Sequence, residues 1–158
     1  MIDDSVSSHN LICMTLMQDD MKDDDLAISK IGCVGRIISN EEGEEGKKNI
    51  ILYGITRIHI DEIIYSKPYR QAKINIIKSK KTIDNDPLYK RITDLVGEWN
   101  LLLEDYNDNY KIKVDQSSTL SKLTDSLSSI IVSSPSERQY LLEELDEGKR
   151  AVRIIEVL

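Results

Sequence analysis

The chain has 158 residues, of which 40% are hydrophobic and 31% are charged, and it carries a formal net charge of −7. These proportions are typical of a globular domain, and the negative charge argues against general nucleic-acid binding, which depends on clustered Lys and Arg. The apolar runs are far shorter than the roughly 20 residues of a membrane-spanning helix, and the N-terminus lacks the basic start and apolar core of a signal peptide. We therefore expect a cytoplasmic protein.

The two cysteines, Cys13 and Cys33, each lie inside an apolar run and do not form a CxxC pair. Because disulfides are rare in the cytosol, we expect both to be reduced and packed as small hydrophobic side chains. A disulfide between neighbouring strands is the alternative.

The first half of the chain is predicted to be mostly β-structure. Residues 11–17 (LICMTLM) and 31–38 are short apolar runs that suit buried strands. Residues 19–25 are predicted to be an acidic loop, and residues 41–49 (EEGEEGKKN) a flexible hairpin connection. Both acidic runs are interpreted as solvated loops; the alternative is an acidic surface that selects basic peptides.

Two later runs alternate in polarity with the period of two that a half-buried strand requires. In the first run, the inward face is assigned to Thr56, Ile58 and Ile60. Its outward face is assigned to Arg57, His59 and Asp61. In the second run, the inward residues are Ala72, Ile74 and Ile76, and the outward ones are Lys73 and Asn75. Several isoleucine-rich strands of this kind predict a small barrel or a strongly curled sheet.

After residue 82 the apolar period changes to that of a helix. Asp86 is a natural N-cap, and Pro87 fits the first helical position, where its missing N–H costs nothing. Apolar residues spaced alternately by four and three then form one stripe on a helix of roughly 20 residues. The stripe consists of Leu88, Ile92, Leu95, Trp99, Leu102 and Tyr106. Gly97 interrupts this helix and is predicted to mark a close approach by another backbone.

Further helices are predicted in the rest of the chain. One covers residues 120–131, and the next begins at a capping box, Ser134-Pro135-Ser136-Glu137. Residues 149–158 either extend that helix or form a fourth one. The fold class is therefore α+β, with a β lobe (residues 1–82) followed by a helical lobe (residues 83–158), which together make one domain.

The sequence lacks the common catalytic motifs. It contains no GxxxxGK[ST] phosphate-binding loop and no GxSxG nucleophile elbow. His9 and His59 lack metal-ligand spacing and are interpreted as surface or half-buried histidines. The DYNDN motif at residues 105–109 matches the start of a calcium loop, but Tyr110 and Gln116 replace the required glycine and glutamate. It is interpreted as a polar turn, and we expect no metal and no cofactor.

An ordered series of segments resembles the N-terminal domain of ATP-dependent Lon proteases. The series is IGCVGRI, then IILYGITRIHI, then PYRQAKINII, within residues 31–77. The matching residue types are Gly32, Ile37, Gly54, Arg57, Ile60, Tyr69 and Ala72. The closing segment, LSSIIVSSPSERQYLLEELDEGKRAVRIIEVL, is similar to the family's last pattern, in which an arginine, here Arg150, precedes the final apolar turn.

The resemblance implies a small, PUA-like, curled β-barrel followed by helices. Full-length members add an ATPase module and a Ser–Lys peptidase module, neither of which is present in this sequence, so we expect a chain that is not an enzyme by itself. Members usually also open with a further strand, and we expect that strand to be missing here. We expect either that the start codon is misplaced or that a partner supplies the strand, since an unpaired sheet edge invites pairing with another chain, including self-association through that edge.

The function implied by the resemblance is a non-catalytic module that binds unfolded or partner polypeptides. Candidate contact residues, expected at the junction of the two lobes, are Tyr53, Arg57, Tyr65, Tyr69 and Trp99. The alternatives are a core position for Trp99, on its apolar stripe, and strand packing for Tyr53 and Tyr65. Arg57 is expected to be the best exposed contact, because its strand face also carries polar residues.

Two other functions stay open at this point. One is RNA binding by a PUA-like module, although the negative charge and the absence of phenylalanine stacking platforms oppose it. The other is a regulatory adaptor role for a separately encoded enzyme.

Overall fold

The computed structural model describes residues 1–17, 28–81, 86–103 and 111–158. The predicted acidic loop at residues 19–25 and the DYNDN motif at residues 105–109 lie outside these described residues. The chain forms two compact units, Met1–Lys78 and Ser79–Leu158. Each unit contains its own cluster of buried hydrophobic side chains.

The first unit consists of a short helix and four strands: α1 (Ile2–Val6), β1 (Leu11–Met14), β2 (Ile31–Glu42), β3 (Lys48–Ile64) and β4 (Gln71–Ile77). The strands form one antiparallel sheet in the order β1-β2-β3-β4. Within the described residues, β1 and β4 are therefore its edge strands. The α+β class is confirmed, whereas closure of the sheet into a barrel stays a prediction.

The alternating pattern of β3 positions the core of this unit. Ile58 and Ile60 are buried as predicted, and they cluster with Val34 of β2. Ala72 and Ile74 of β4 pack against the same cluster. The inward assignment of Ile76 is wrong, since its side chain is 67% exposed. Ile76 pairs with Ile58, but it lies on a strand that has no second neighbour among the described residues to complete its burial.

Strands β2 and β3 extend past their neighbours as a two-stranded ribbon, here residues 37–56. Pairing with β1 stops at Arg36, and pairing with β4 starts at Arg57. The hairpin connection is shorter than the predicted residues 41–49, because β2 continues to Glu42 and β3 begins at Lys48. Gly46 has a φ of +73°, a left-handed conformation that glycine adopts without a steric penalty, and it allows the tight reversal.

Helix α1 is held to the sheet by side chains at both of its acidic positions. Lys48 of β3 donates to Asp3, and Lys67 in the β3–β4 loop donates to Asp4 Oδ2 at 2.9 Å. The Tyr69 hydroxyl donates to the same Asp4 oxygen at 2.6 Å. Asn10, with a φ of 58°, turns the chain from α1 into β1, and asparagine tolerates that left-handed conformation better than most residues.

The second unit consists of four helices: α2 (Asp86–Leu102), α3 (Leu120–Ile131), α4 (Pro135–Glu143) and α5 (Glu147–Val157). Helix α3 has the predicted bounds, and the predicted cap of α4 is confirmed, since Ser134 Oγ accepts from the Glu137 N–H at 3.4 Å. The last stretch forms a separate helix. The prediction for Gly97 is wrong, because a Cβ placed there would meet nothing within 4 Å. None of the helices in the described ranges combines the length and apolar composition that crossing a membrane requires.

A buried arginine connects the helices of this unit. Arg150 of α5 donates to Glu144 O at 2.8 Å and to Ser121 Oγ at 2.7 Å, and its Nε lies 3.6 Å from Asp125 Oδ1. These partners belong to the α4–α5 connection and to α3. The guanidinium therefore fixes how α5 packs against α3, because burying a charge is favourable only when its partners stay in place.

Loss of packing in the helical core tests this description. Leu127 is fully buried in α3, whereas Ile130 on the same helix is exposed. We expect Leu127→Ala to lower the free energy of unfolding by about 2–5 kcal/mol, because it leaves a cavity. Ile130→Ala should lower it by less than about 1 kcal/mol. Urea unfolding followed by circular dichroism measures both, and equal losses would contradict the assigned core.

The α1 anchor predicts a specific pH dependence. The Tyr69 hydroxyl and then Lys67 lower the pKa of Asp4 from 3.8 to about 2. Because the folded pKa is depressed, the anchor is fully formed above pH 3.8 and is lost as the pH falls towards 2. An NMR titration of the Asp4 carboxyl should show a midpoint near 2, and Tyr69→Phe should raise it. A midpoint near 3.8 in the unaltered chain would contradict the anchor.

Candidate functional site

The ribbon carries four exposed apolar side chains, which we call the ribbon patch: Ile38, Ile51, Tyr53 and Ile55, each between 47% and 65% exposed. Ile51 and Tyr53 are two residues apart on β3 and so point to one face. Ile38 and Ile55 are extra residues at the two register shifts of the β2–β3 ladder. Such bulges redirect side chains out of the regular alternation. Single exposed apolar residues are ordinary, but a group within one ribbon indicates an interaction surface.

Charged residues flank the ribbon patch. Arg36 lies opposite Tyr53 in the ladder, on the side of the ribbon that joins the sheet. At the other end, the tip of the ribbon exposes Glu41, Glu42 and Glu44. The patch therefore has an apolar centre between a basic position and an acidic tip.

Arg57 is less exposed than predicted. It lies beyond the ribbon, where β3 pairs with both β2 and β4, and it faces Cys33 and Ile77 in the two ladders. Its side chain is half-buried. On the same strand, His59 Nδ1 lies 2.8 Å from Asp61 Oδ1, and Asn75 of β4 donates to Asp61 Oδ2 at 2.7 Å. These three polar side chains are hydrogen-bonded to one another across β3 and β4. The predicted outward polar face is therefore largely a hydrogen-bond network within the sheet.

Tyr65 and Tyr69 lie near each other in sequence but differ in their surroundings. Tyr65 follows the last residue of β3 and is exposed, so strand packing is not its role. Tyr69 is half-buried in the β3–β4 loop, where its hydroxyl binds Asp4 and Lys67 Nζ lies 5.5 Å from its ring centroid. Tyr69 therefore holds α1, whereas Tyr65 is exposed at the start of this loop.

Trp99 belongs to the second unit, and a core position for it is wrong. Its side chain is 40% exposed, while Ile92 and Val96 supply the buried face of α2. Trp99 lines an apolar cavity of about 370 Å³. The other lining residues are Leu103, Ile112, Ile130, Ile131, Val157 and Leu158. The sequence stripe did not include Val96, and two of its later residues, Trp99 and Leu102, lie in the last turn of α2 and are exposed.

A larger groove, which we call the α1 groove, lies between α1, β1 and the β3–β4 loop and has a volume of about 560 Å³. It is lined by residues of both sequence ends of this unit, among them Asp4, Cys13 and Arg70. No local sequence pattern indicates this groove, because its walls are about 60 residues apart in the chain.

The two cysteines are free thiols, but only one resembles a packed hydrophobic residue. Cys33 is half-buried, whereas Cys13 on edge strand β1 is exposed, so the prediction of a packed Cys13 is wrong. Although Cys13 as a residue is exposed, its thiol is partly buried. This burial raises the pKa of the Cys13 thiol, and the neighbouring Cys33 raises it further. Among the described residues, no group of three or more His, Cys, Asp or Glu side chains could hold a metal ion.

Four of the five predicted contact residues thus lie in the first unit and one in the second. Tyr53 joins the ribbon patch, Tyr65 and Tyr69 belong to the β3–β4 loop, and Arg57 lies between them on β3. A shared contact surface for all five stays a prediction. The sequence did not single out the isoleucines that surround Tyr53, because isoleucine in a strand usually indicates burial.

Comparisons with known proteins agree on one family. A sequence model of the ATP-dependent protease La (LON) substrate-binding domain matches residues 1–158. Lon protease from Dictyoglomus thermophilum is 23% identical over 159 residues, which cover 98% of this chain and 20% of that protein. Lon protease from Flavobacterium johnsoniae is 36% identical over 81 residues, which cover 51% of this chain and 10% of that protein. The chain thus spans about a fifth or less of these curated relatives.

Solved structures agree on the fold. The N-terminal domain of the Mycobacterium avium complex Lon protease superposes with a TM-score of 0.62 at 14% identity, covering 92% of this chain and 89% of that one. The Lon N-terminal domain protein from Xanthomonas campestris gives 0.54 at 12% identity, with coverage of 92% and 88%. Since the family match extends over every residue and the folds agree, this chain belongs to the family of Lon protease substrate-binding domains.

Proposed function

We propose that this chain is a non-catalytic domain that binds unfolded polypeptides as substrates for ATP-dependent proteolysis. Membership of the substrate-binding family supports the general role. The observation that carries the proposal for this chain is the ribbon patch, where Ile38, Ile51, Tyr53 and Ile55 are exposed together. Unfolded chains expose apolar side chains that folded proteins bury, and a shallow apolar surface selects for that difference.

The energetics of such a surface suit transient binding. Burying one half-exposed Ile or Tyr side chain contributes about 1 kcal/mol, so four of them contribute about 4 kcal/mol. Association costs at least about 4 kcal/mol in lost freedom of motion. Binding at the ribbon patch alone is therefore weak and quickly reversible, which allows a chain to scan many segments of a substrate.

The alternative functions have less support. RNA binding requires a positive surface, whereas this chain has a net charge of −7 and an acidic ribbon tip. Nothing in the part of the chain that the structure describes favours a regulatory adaptor role. Two free cysteines support the proposed cytoplasmic location, where thiols stay reduced.

The ribbon patch is tested by matched tyrosine variants. Tyr53 is 65% exposed on the ribbon, and Tyr140 is 55% exposed on α4 of the other unit. We expect Tyr53→Ser to weaken binding of a reduced, carboxymethylated protein about fivefold, since about 1 kcal/mol of apolar burial is lost. Tyr140→Ser serves as the control and should leave binding within twofold.

Fluorescence anisotropy of the labelled unfolded protein measures both affinities, and the native form of the same protein should not bind. Equal affinity for the Tyr53→Ser and Tyr140→Ser variants would remove the ribbon patch from the proposal. Tight binding of the native protein would contradict selection for unfolded chains.

We also propose that the chain associates with a second copy through an open sheet edge, and β4 is the edge that favours this most. It is seven residues long, it pairs only with β3 among the described residues, and it exposes Ile76. Long edge strands with exposed apolar residues are prone to pair with other chains. An antiparallel β4–β4 contact across a two-fold axis would bury Ile76 in both copies.

Sedimentation velocity from about 10 μM to about 1 mM tests this contact. We expect the average mass to rise with concentration for the unaltered chain and to stay monomeric for Ile76→Lys, which places a charge on the edge. Ile51→Lys is the control, since Ile51 is exposed but lies outside β4, and it should still associate. Association that survives Ile76→Lys would place the contact elsewhere.

A further inference from the structure

The α1 groove has an apolar floor and a polar rim, all within the first unit. The floor consists of Leu11, Ile12, Ile28, Ile60, Ile63 and Ala72. On the rim, Lys67 Nζ and the Tyr69 hydroxyl both donate to Asp4 Oδ2. The volume of about 560 Å³ lies within the range of ligand-binding clefts.

The backbone of β1 shows which atoms face this groove. Asn10 O accepts from Ile37 N at 2.8 Å, and Leu16 O accepts from Ser29 N at 2.9 Å. The even-numbered residues therefore direct their backbone groups towards β2 and the residues just before it. In an extended strand the alternate residues direct theirs the other way. Leu11 confirms this, because its N–H donates to His9 Nδ1 at 3.0 Å and its carbonyl accepts from Ser5 Oγ at 2.6 Å.

The same alternation applies to Cys13 and Thr15, which both line the groove. Their backbone N–H and C=O groups point away from β2, on the side where β1 has no strand neighbour among the described residues. Across the groove lie Gln71 and Ala72, at the start of the other edge strand. A row of alternating donors and acceptors above an apolar floor is complementary to one ligand class, an extended polypeptide.

We propose that the α1 groove binds an extended segment of another polypeptide, which adds to β1 as a further strand. Its alternate apolar side chains face the floor. The available backbone groups belong to Cys13 and Thr15, which are two residues apart and so about 7 Å apart along the strand, enough to pair with a short stretch of the added chain. The inference rests on the proposed polypeptide-binding function, but it uses a surface separate from the ribbon patch and adds a preference for β-forming segments with alternate apolar side chains.

The first experiment measures binding of a labelled peptide, acetyl-Thr-Val-Thr-Val-Thr-Glu-amide, to the full chain. We expect a dissociation constant at or below about 1 mM. The same peptide with N-methyl groups at alternate residues cannot donate to β1, and it should bind about tenfold more weakly. No binding, or equal binding of the N-methylated peptide, would overturn the proposal.

Two variants at Cys13 isolate the backbone contribution. Cys13→Pro removes the N–H that faces the groove without removing a bond to β2, and proline is tolerated at such edge positions. We expect it to weaken peptide binding about tenfold, whereas Cys13→Ala keeps the N–H and should bind like the unaltered chain. Unchanged circular dichroism shows that Cys13→Pro is folded; if it is not, the N-methylated peptide decides the question alone.

Further variants separate this inference from its alternatives. Tyr53→Ser should leave peptide binding unchanged. If this variant loses binding to unfolded proteins but still binds the peptide, the loss is assigned to the ribbon patch and not to the groove. If Cys13→Pro abolishes self-association while peptide affinity stays the same, the occupant is a second copy of this chain and the proposal is wrong.

Discussion

The antiparallel pairing of β2 with β3 is the interaction on which the first unit depends. These are the two longest strands, and each edge strand adds to only one of them. Because the β2–β3 ladder continues beyond both neighbours, it creates a ribbon without a sheet around it. Two register shifts in the same ladder place Ile38 and Ile55 outside the regular alternation. One pairing therefore determines both the core at Ile58 and the apolar surface at Tyr53.

The edges of this sheet are protected unequally. At β1, side chains of His9 and Ser5 satisfy the backbone of Leu11, and α1 is fastened over the β3–β4 loop by Asp4. At β4, Lys73 pairs with Glu62 on the neighbouring strand, while Ile76 stays exposed. Natural sheets usually block their edges with charges or covering segments. Here the protection is partial, which fits a domain whose proposed work is to take up other chains.

Much of the fold was predictable from local patterns. The period of two in β3 identified Ile58 and Ile60 as core residues, and the capping box at Ser134 located the start of α4, because both signals arise between near neighbours in sequence. The errors concern exposure. Ile76, Trp99 and Cys13 have apolar or small side chains in regular patterns, yet they lie at a sheet edge or near a helix end. A pattern states which face a residue is on, but not whether another element covers that face.

The candidate surfaces also depend partly on local sequence patterns and partly on the packing of distant segments. By itself, the sequence determined the α+β class, the strands and helices, and the family, since each depends on the order of residue types along the chain. It also selected Tyr53 as a contact, although not the isoleucines beside it. Only the tertiary structure decided that the ribbon stands clear of its neighbours and that α1, β1 and the β3–β4 loop enclose a groove. The reason is physical: exposure and concavity depend on which distant segments pack together, and no local pattern records that.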